Sequence, residues 1–302
     1  MGQSKRRQEM LFDRSAIDAC IGYLRNRTDE NLRRLVSMAG SKLAYKHHLW
    51  SSISSRLTIE EFWKKELERI VWSRQLEASI EAIIECLTGR QEKQWLDDVL
   101  RYLPQGHIFS TTVYLIGGYD NIVYGEDVAL NLNFNQFHAD NREVVYYLIH
   151  ELAHAGYFRY RQMPEVANLR TLRDLLDVVK LLTHLEGMGV ISPFKLRVKE
   201  GGLLASDYNV LLDEDERNAR VHDYFTLLTG LENEPNRELG KEDCQILENM
   251  SARPKRLWYI AGCHMALKIE EQCGIVTLQN IVKRGHEEFF RTYRQIQTPL
   301  SL

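Results

Sequence analysis

The stretch EVVYYLIHELAHAGYF, residues 143–158, lies in a segment, residues 140–161, whose apolar residues recur at helical spacing. On a helical wheel, apolar side chains fall on one face and polar and aromatic side chains on the other. The first face carries Val144, Val145, Leu148, Leu152 and Ala155, and the second carries Glu143, Tyr147, His150, Glu151, His154 and Tyr157. The pattern predicts an amphipathic helix with one face in the core and a separate polar face.

The polar face contains the pattern His-Glu-x-x-His (HExxH), formed by His150, Glu151 and His154. Residues four apart lie on the same face of a helix, so both imidazoles can bind one metal ion. Glu151 lies at the edge of that face, where its carboxylate can contact a metal-bound water without being a ligand. The alternative is a surface helix whose histidines face solvent. A core-packing face opposite the histidines favours the metal site.

A zinc site that performs hydrolysis needs a third protein ligand and leaves one position for water. The best candidate is Glu186, because it ends an apolar stripe in residues 171–187, and a buried carboxylate must be paired or bound to a metal. The alternative is that Glu186 only caps a helix or forms an ion pair. The stripe consists of Leu175, Val179 and Leu182.

Two other residues compete with Glu186 for the third position. His184 falls on the opposite side of the same helix, with Arg173, Asp177 and Lys180, and we expect that side to face solvent. Glu165 follows a Met-Pro pair and is expected in a loop. Both are weaker candidates.

The spacing of apolar residues predicts that residues 10–103 are helical. The clearest apolar stripe runs from Ile59 to Leu87 and predicts a helix that stops at Gly89. Thr58 followed by Glu61 predicts a capping box at the start of that helix. No catalytic pattern occurs in this part of the chain.

The helical pattern of the sequence ends near residue 104. Residues 107–134 are rich in β-branched and aromatic residues interrupted by Gly-Gly and Asp-Asn pairs, which predict two or three short antiparallel strands. Helices return after Asp140, with breaks expected at Pro193 and at Gly201-Gly202. Helices, a small sheet and more helices predict an α+β fold that is mostly helical.

Composition excludes several classes of protein. The chain has 302 residues, a net charge of −3 and 27% charged residues, so we expect neither a nucleic-acid partner nor a disordered chain. The five cysteines are widely spaced and predict free thiols. The start MGQSKRRQEMLFDRS lacks an apolar secretory core, and no apolar run is long enough to span a membrane. We therefore expect a cytoplasmic protein; the sequence does not indicate its oligomeric state.

The HExxH pattern followed by a downstream glutamate resembles the zincin metallopeptidases, in the branch with a glutamate third ligand, the gluzincins. The resemblance is closest to predicted Zn-dependent proteases with a helical Glu-Gly signature, here residues 186–189 (EGMG). Their C-terminal part is similar to residues 254–262 (PKRLWYIAG) and the later Gly274. The resemblance covers roughly residues 120–295. It departs from the gluzincin pattern at Val190, where an aspartate is usual.

The resemblance implies a zinc-dependent metallopeptidase, a hydrolase with Zn²⁺ as cofactor and a peptide or protein as substrate. His150, His154 and Glu186 would hold the ion, and Glu151 would act as general base and pass the proton to the leaving amine. A zincin-like domain would cover residues 106–302, preceded by an N-terminal helical region over residues 1–105. The strand over 127–135, just before the motif helix, would be a sheet edge that pairs with an extended peptide.

A second donor besides the metal is expected to stabilise the oxyanion. Tyr259 matches the tyrosine of the family pattern but falls on the outer side of its predicted helix. His264 shares the apolar stripe of that helix and is expected to point inward. Both rank above His222, which flanks another apolar stripe. For each residue, the alternative is a purely structural role.

Two other functions remain open. One is a metal hydrolase that acts on a non-peptide substrate. The other is a zincin-fold binding or regulatory protein in which residues 1–105 recognise a partner. A structural zinc site fills four positions with protein ligands, and only three strong ligands are found, which favours catalysis.

Overall fold

The chain forms two compact units. The first contains Met1–Asp97 and Gly106–Gly156, and the second contains Asp98–Gln105 and Tyr157–Leu302. The predicted division at residues 105 and 106 is a different one, and it stays a prediction. The computed structural model describes residues 9–51, 57–89, 92–162, 169–251 and 255–297.

The elements up to the motif helix are four strands and eight helices in the described residues. In chain order they are β1 (Glu9–Asp13), α1 (Ser15–Arg25), α2 (Asp29–Ser37), α3 (Ala39–Ser51), α4 (Ile59–Leu67), α5 (Arg74–Gly89), α6 (Glu92–Leu100), β2 (Ser110–Ile116), β3 (Ile122–Tyr124), β4 (Asp127–Asn131), α7 (Asn135–Ala139) and α8 (Glu143–Phe158).

The remaining described elements are all helices. They are α9 (Leu172–Glu200), α10 (Ser206–Leu212), α11 (Glu214–Asn233), α12 (Lys241–Ser251), α13 (Leu257–Cys273), α14 (Ile275–Arg284) and α15 (His286–Gln297). The protein is therefore mostly helical with one small sheet, which agrees with the α+β class.

The four strands form a mixed sheet in the order β1-β2-β4-β3. Strand β2 pairs in parallel with both β1 and β4, and only β3 and β4 are antiparallel. The prediction of an antiparallel sheet is therefore wrong for the other two pairings. Strand β1 lies at the start of a region predicted to be helical, because its apolar run is too short for a period to be read. Its parallel pairing with β2 needs a long crossover, which α1 to α6 supply.

Strand β4, which precedes the motif helix, lies inside the sheet between β2 and β3. Its backbone is therefore paired on both sides. The expectation that this strand forms a sheet edge is wrong, because β1 and β3 occupy the edges of the described sheet. Residues on both faces of β4 are fully buried, including Val128, Ala129 and Leu130.

The apolar stripe over residues 59–87 forms two helices rather than one. Helix α4 ends at Leu67 and α5 begins at Arg74, and the connection exposes 81% of Val71. The predicted capping box is confirmed, since Thr58 Oγ1 accepts from the Glu61 N–H at 3.2 Å and Glu61 Oε2 accepts from the Thr58 N–H at 2.7 Å. Helix α5 ends at Gly89, as predicted.

Helix α9 continues through Pro193, where a break was expected. Proline removes one helical hydrogen bond, but most of the surrounding turns are buried, and such packing outweighs the loss. The Ser192 hydroxyl also donates to the Met188 carbonyl at 2.8 Å. The helix ends at Gly201, whose left-handed φ of 68° explains the predicted turn at the Gly-Gly pair.

Helices α9 and α13 approach closely at two glycines. A Cβ on Gly262 would lie 2.1 Å from the Thr183 carbonyl oxygen, and a Cβ on Gly187 would lie 2.4 Å from the Gly262 carbonyl carbon. Only residues without a side chain fit there. The contact holds the α9 backbone next to Glu186 against the second turn of α13.

We expect Gly262→Ala to lower the free energy of unfolding by about 1–3 kcal/mol or more, because the backbones of α9 and α13 must separate. The matched control is Gly230→Ala in α11, where a Cβ meets no atom within 4 Å. That change should stabilise the helix by up to about 1 kcal/mol. Urea unfolding followed by circular dichroism measures both, and equal stability of the two variants would contradict the close contact.

The described side chains agree with two expectations from composition. Among the described side chains, Cys20, Cys86, Cys263 and Cys273 are not in disulfides, and the side chain of Cys244 lies outside the described part. None of the described helices combines the length and the apolar character needed to cross a membrane.

Candidate metal centre

Helix α8 brings the two motif histidines together. Its apolar face is fixed in the core, with Val144, Val145 and Leu148 fully buried. On the other face, His150 Nε2 and His154 Nε2 lie 2.9 Å apart, and the two rings are nearly perpendicular at 84°. Both imidazoles thus present the same nitrogen to one point.

This geometry fits a shared metal ion. Two nitrogens that each bind zinc at about 2.0–2.1 Å with tetrahedral angles lie about 3.3 Å apart. The separation of 2.9 Å between His150 Nε2 and His154 Nε2 is close to that value. Imidazole nitrogen is also a donor that zinc prefers. The pair can therefore supply two ligands of a zinc site.

Glu151 is the third member of the motif, and only 7% of its surface is exposed. A buried carboxylate needs polar or charged surroundings to remain ionised. On α8 the histidines lie one residue before it and three residues after it, so it is beside their shared face. A carboxylate in that place can exchange a proton with a water at the metal.

An aromatic cluster supports the first turns of this face. The Tyr147 hydroxyl donates to Gln136 Oε1 at 2.6 Å. The Tyr147 ring contacts those of Phe134 and Phe137, with centroids 5.2 and 5.4 Å away. Since Tyr147 precedes His150 by about one helical turn, α7 holds the N-terminal side of the face that carries the histidines.

The last turn of α8 belongs to the second unit and is tied to α9. The Tyr157 hydroxyl and His184 Nδ1 are 3.0 Å apart. His184 is fully buried and stacks on Phe289 at 4.4 Å, so the expectation that it faces solvent is wrong. Helix α9 packs against α11, α13 and α15, and the consecutive residues Thr183, His184 and Leu185 are all buried. Burial lowers the pKa of His184 well below its usual value, which keeps the ring neutral.

Glu186 lies on α9, two residues after His184. It is partly exposed, while its Oε2 atom is buried. Its negative charge raises the pKa of Tyr259 on α13, after the larger effect of burial. Tyr259 and Glu186 lie on α13 and α9, the two helices that meet at the glycine contact, and they are close enough for the charge of Glu186 to act on the Tyr259 hydroxyl. The helical wheel had placed Tyr259 on the outer side of its helix.

Two charged residues around Tyr259 were not found by sequence reasoning as site residues. Arg256 stacks on the Tyr259 ring, with its Cζ atom 3.5 Å from the ring centroid. Arg256 Nε donates to Asp207 Oδ2 at 2.6 Å, and 10% of the Asp207 side chain is exposed. Asp207 lies far from Arg256 in sequence and carries no motif that could have identified it.

The remaining candidates from the sequence are His264, His222 and Glu165. His264 is half-buried on α13 near Tyr293, with the ring centroids 6.1 Å apart. Burial and the charges of Arg217 and Lys268 lower the pKa of His264 to about 4, so it is neutral at pH 7. His222 is exposed on α11, and Glu165 lies outside the described residues.

A family model described as "Putative zinc dependent peptidase (DUF5700)" matches residues 23–298. No curated protein and no solved structure matches the chain. The matched segment includes the whole of α8, α9 and α13, and with them every candidate residue named above.

Proposed function

Since the chain belongs to the family that this model describes, we propose that it hydrolyses peptide bonds at a zinc ion held by His150, His154 and Glu186. The observation that carries the proposal is the pair of Nε2 atoms on α8, 2.9 Å apart, with a buried Glu151 beside them. Two imidazoles, one carboxylate ligand and an open position form the donor set of a catalytic zinc site.

The assignment of Glu186 as the third ligand rests on two observations. Its Oε2 atom is buried, and a buried carboxylate oxygen calls for a cation or a donor. The rival ligand His184 is engaged with Tyr157 and Phe289 instead.

A zinc ion in such a site supplies Lewis acidity, which acidifies a water molecule and polarises the scissile carbonyl. In the proposed mechanism, the Glu151 carboxylate accepts a proton from the attacking water and delivers it to the leaving amine. Burial raises the pKa of Tyr259, so its hydroxyl keeps its proton at neutral pH. That hydroxyl donates a hydrogen bond to the carbonyl oxygen as negative charge develops there.

We expect substitutions of Tyr259 and His264 to affect kcat differently. We expect Tyr259→Phe to lower kcat by about 10²–10³-fold, since one oxyanion donor is lost. His264→Gln should leave kcat largely unchanged, because His264 lies beside Tyr293, whereas Tyr259 lies close enough to Glu186 for its charge to raise the Tyr259 pKa. Steady-state kinetics on one peptide, with the zinc content of both variants checked, decides between them. The reverse order of effects would make His264 the donor.

The proposal is tested with the zinc-loaded full chain and a mixed pool of peptides. Mass spectrometry should detect new peptide termini, and a chelator should stop the hydrolysis until zinc is restored. Hydrolysis that continues unchanged in the metal-free protein would contradict a metal-dependent peptidase. Hydrolysis of esters or amides but of no peptide would favour a metal hydrolase with another substrate.

A further inference from the structure

The backbone of Arg256 adopts a conformation that is rare for a residue with a side chain. Its φ and ψ are 44° and 49°, in the left-handed region, directly before α13. Among the described residues other than glycine, only Tyr119 also has a positive φ. Such strain persists where the surroundings fix the residue, and it often marks functional positions.

Two contacts fix the guanidinium of Arg256. Asp207 accepts from Nε at 2.6 Å, and the Arg256 Cζ atom lies over the Tyr259 ring, 3.5 Å from its centroid. Burial acts to lower the pKa of Arg256, but the charges of Asp207 and Glu186 and the hydrogen bond to Asp207 raise it. Arg256 is therefore a fixed cation in the surroundings of Glu186.

The two contacts leave one edge of the guanidinium available. A guanidinium has five N–H donors, and within the described part of the chain Arg256 uses only the one on Nε in hydrogen bonds. The two Nη atoms form the edge that binds carboxylates in a bidentate manner. Since 23% of the Arg256 side chain is exposed, a ligand can reach it from solvent.

We infer that Arg256 binds a carboxylate of the substrate, either the C-terminal carboxylate of a peptide or the side chain of an acidic residue. The inference rests on the proposed function, because it takes Glu186 as part of the zinc site. Asp207 and Tyr259 act as positioning residues that hold the guanidinium plane before substrate arrives, which reduces the ordering cost of binding.

The test measures binding without turnover, using zinc-loaded Glu151→Gln protein and N-acetylated peptides of one sequence. One peptide has a free C-terminal carboxylate, a second is amidated, and a third is amidated with one internal glutamate. We expect one carboxylate-bearing peptide to bind about 10- to 150-fold more tightly than the neutral amide. Preference for the first identifies the terminal carboxylate, and preference for the third identifies an acidic side chain.

Arg256→Gln in the same background should abolish the preference, and Arg256→Lys should keep part of it, because it retains the charge but not the bidentate geometry. If Arg256→Gln does not fold, the reduced preference of Arg256→Lys tests the inference in its place. The matched control is Arg237→Gln, which breaks a comparable pair, with Arg237 Nη2 2.7 Å from Asp243 Oδ1. It should leave the preference unchanged.

Equal affinity for the three peptides, or a preference that survives in both Arg256 variants, would overturn the inference while leaving the proposed peptidase intact. If zinc is bound but no peptide binds in any form, the proposed peptidase function fails, and this inference fails with it. The two failures are therefore distinguishable in one set of titrations.

Discussion

Glu151→Gln is expected to lower kcat on a peptide substrate by about 10²–10⁴-fold while the protein keeps its zinc. Glutamine has nearly the same shape as glutamate, but its amide cannot accept a proton from water at neutral pH. The change also removes a buried charge, so the fold should tolerate it. The loss should therefore appear in the chemical step and not in the stability or in the metal content.

The measurement is steady-state hydrolysis together with metal analysis and thermal unfolding. Glu85→Gln, the same substitution at an exposed position of α5, is the control and should leave all three quantities unchanged. A Glu151→Gln protein that cleaves peptides as fast as the wild type would rule out Glu151 as the general base.

His154→Ala is expected to have the second large effect, the loss of zinc. Groups that only orient a ligand already change metal affinity by about 10–100-fold, so removal of a ligand should cost more than about 100-fold. His150→Ala should behave alike, because the two Nε2 atoms face the same point. Both variants should also lose peptidase activity.

Competition with a chelator of known zinc affinity measures this loss. His222→Ala is the control, since it removes an exposed histidine of α11 and should retain zinc. Full zinc affinity in the His154→Ala protein would show that the ion is bound elsewhere.

The local elements could be predicted because their signals are short-range. The apolar face of α8, the capping box at Thr58 and the stop at Gly89 each depend on residues within a few positions of one another. The pairing of His150 and His154 could also be predicted from a short-range signal, since helical geometry alone places both imidazoles on one face.

The failures concern tertiary pairing. No local pattern shows that β1 joins the sheet or that β4 lies inside it, because strand order is decided by distant segments. A helical wheel assigns one side to solvent along its whole length, so it misplaced His184, which is buried although Arg173 and Asp177 on the same side of α9 are exposed. Arg256 and Asp207 meet only through the packing of α10 and α13, and their residue types alone did not single them out.

The most direct test is an anomalous diffraction experiment at the zinc absorption edge on crystals of the zinc-loaded protein. The proposed zinc site predicts one strong peak, about 2.0–2.1 Å from the Nε2 atoms of His150 and His154 and about 2.0–2.2 Å from a carboxylate oxygen of Glu186. A zinc peak away from the two histidines, or one bound by them while Glu186 points elsewhere, would contradict it.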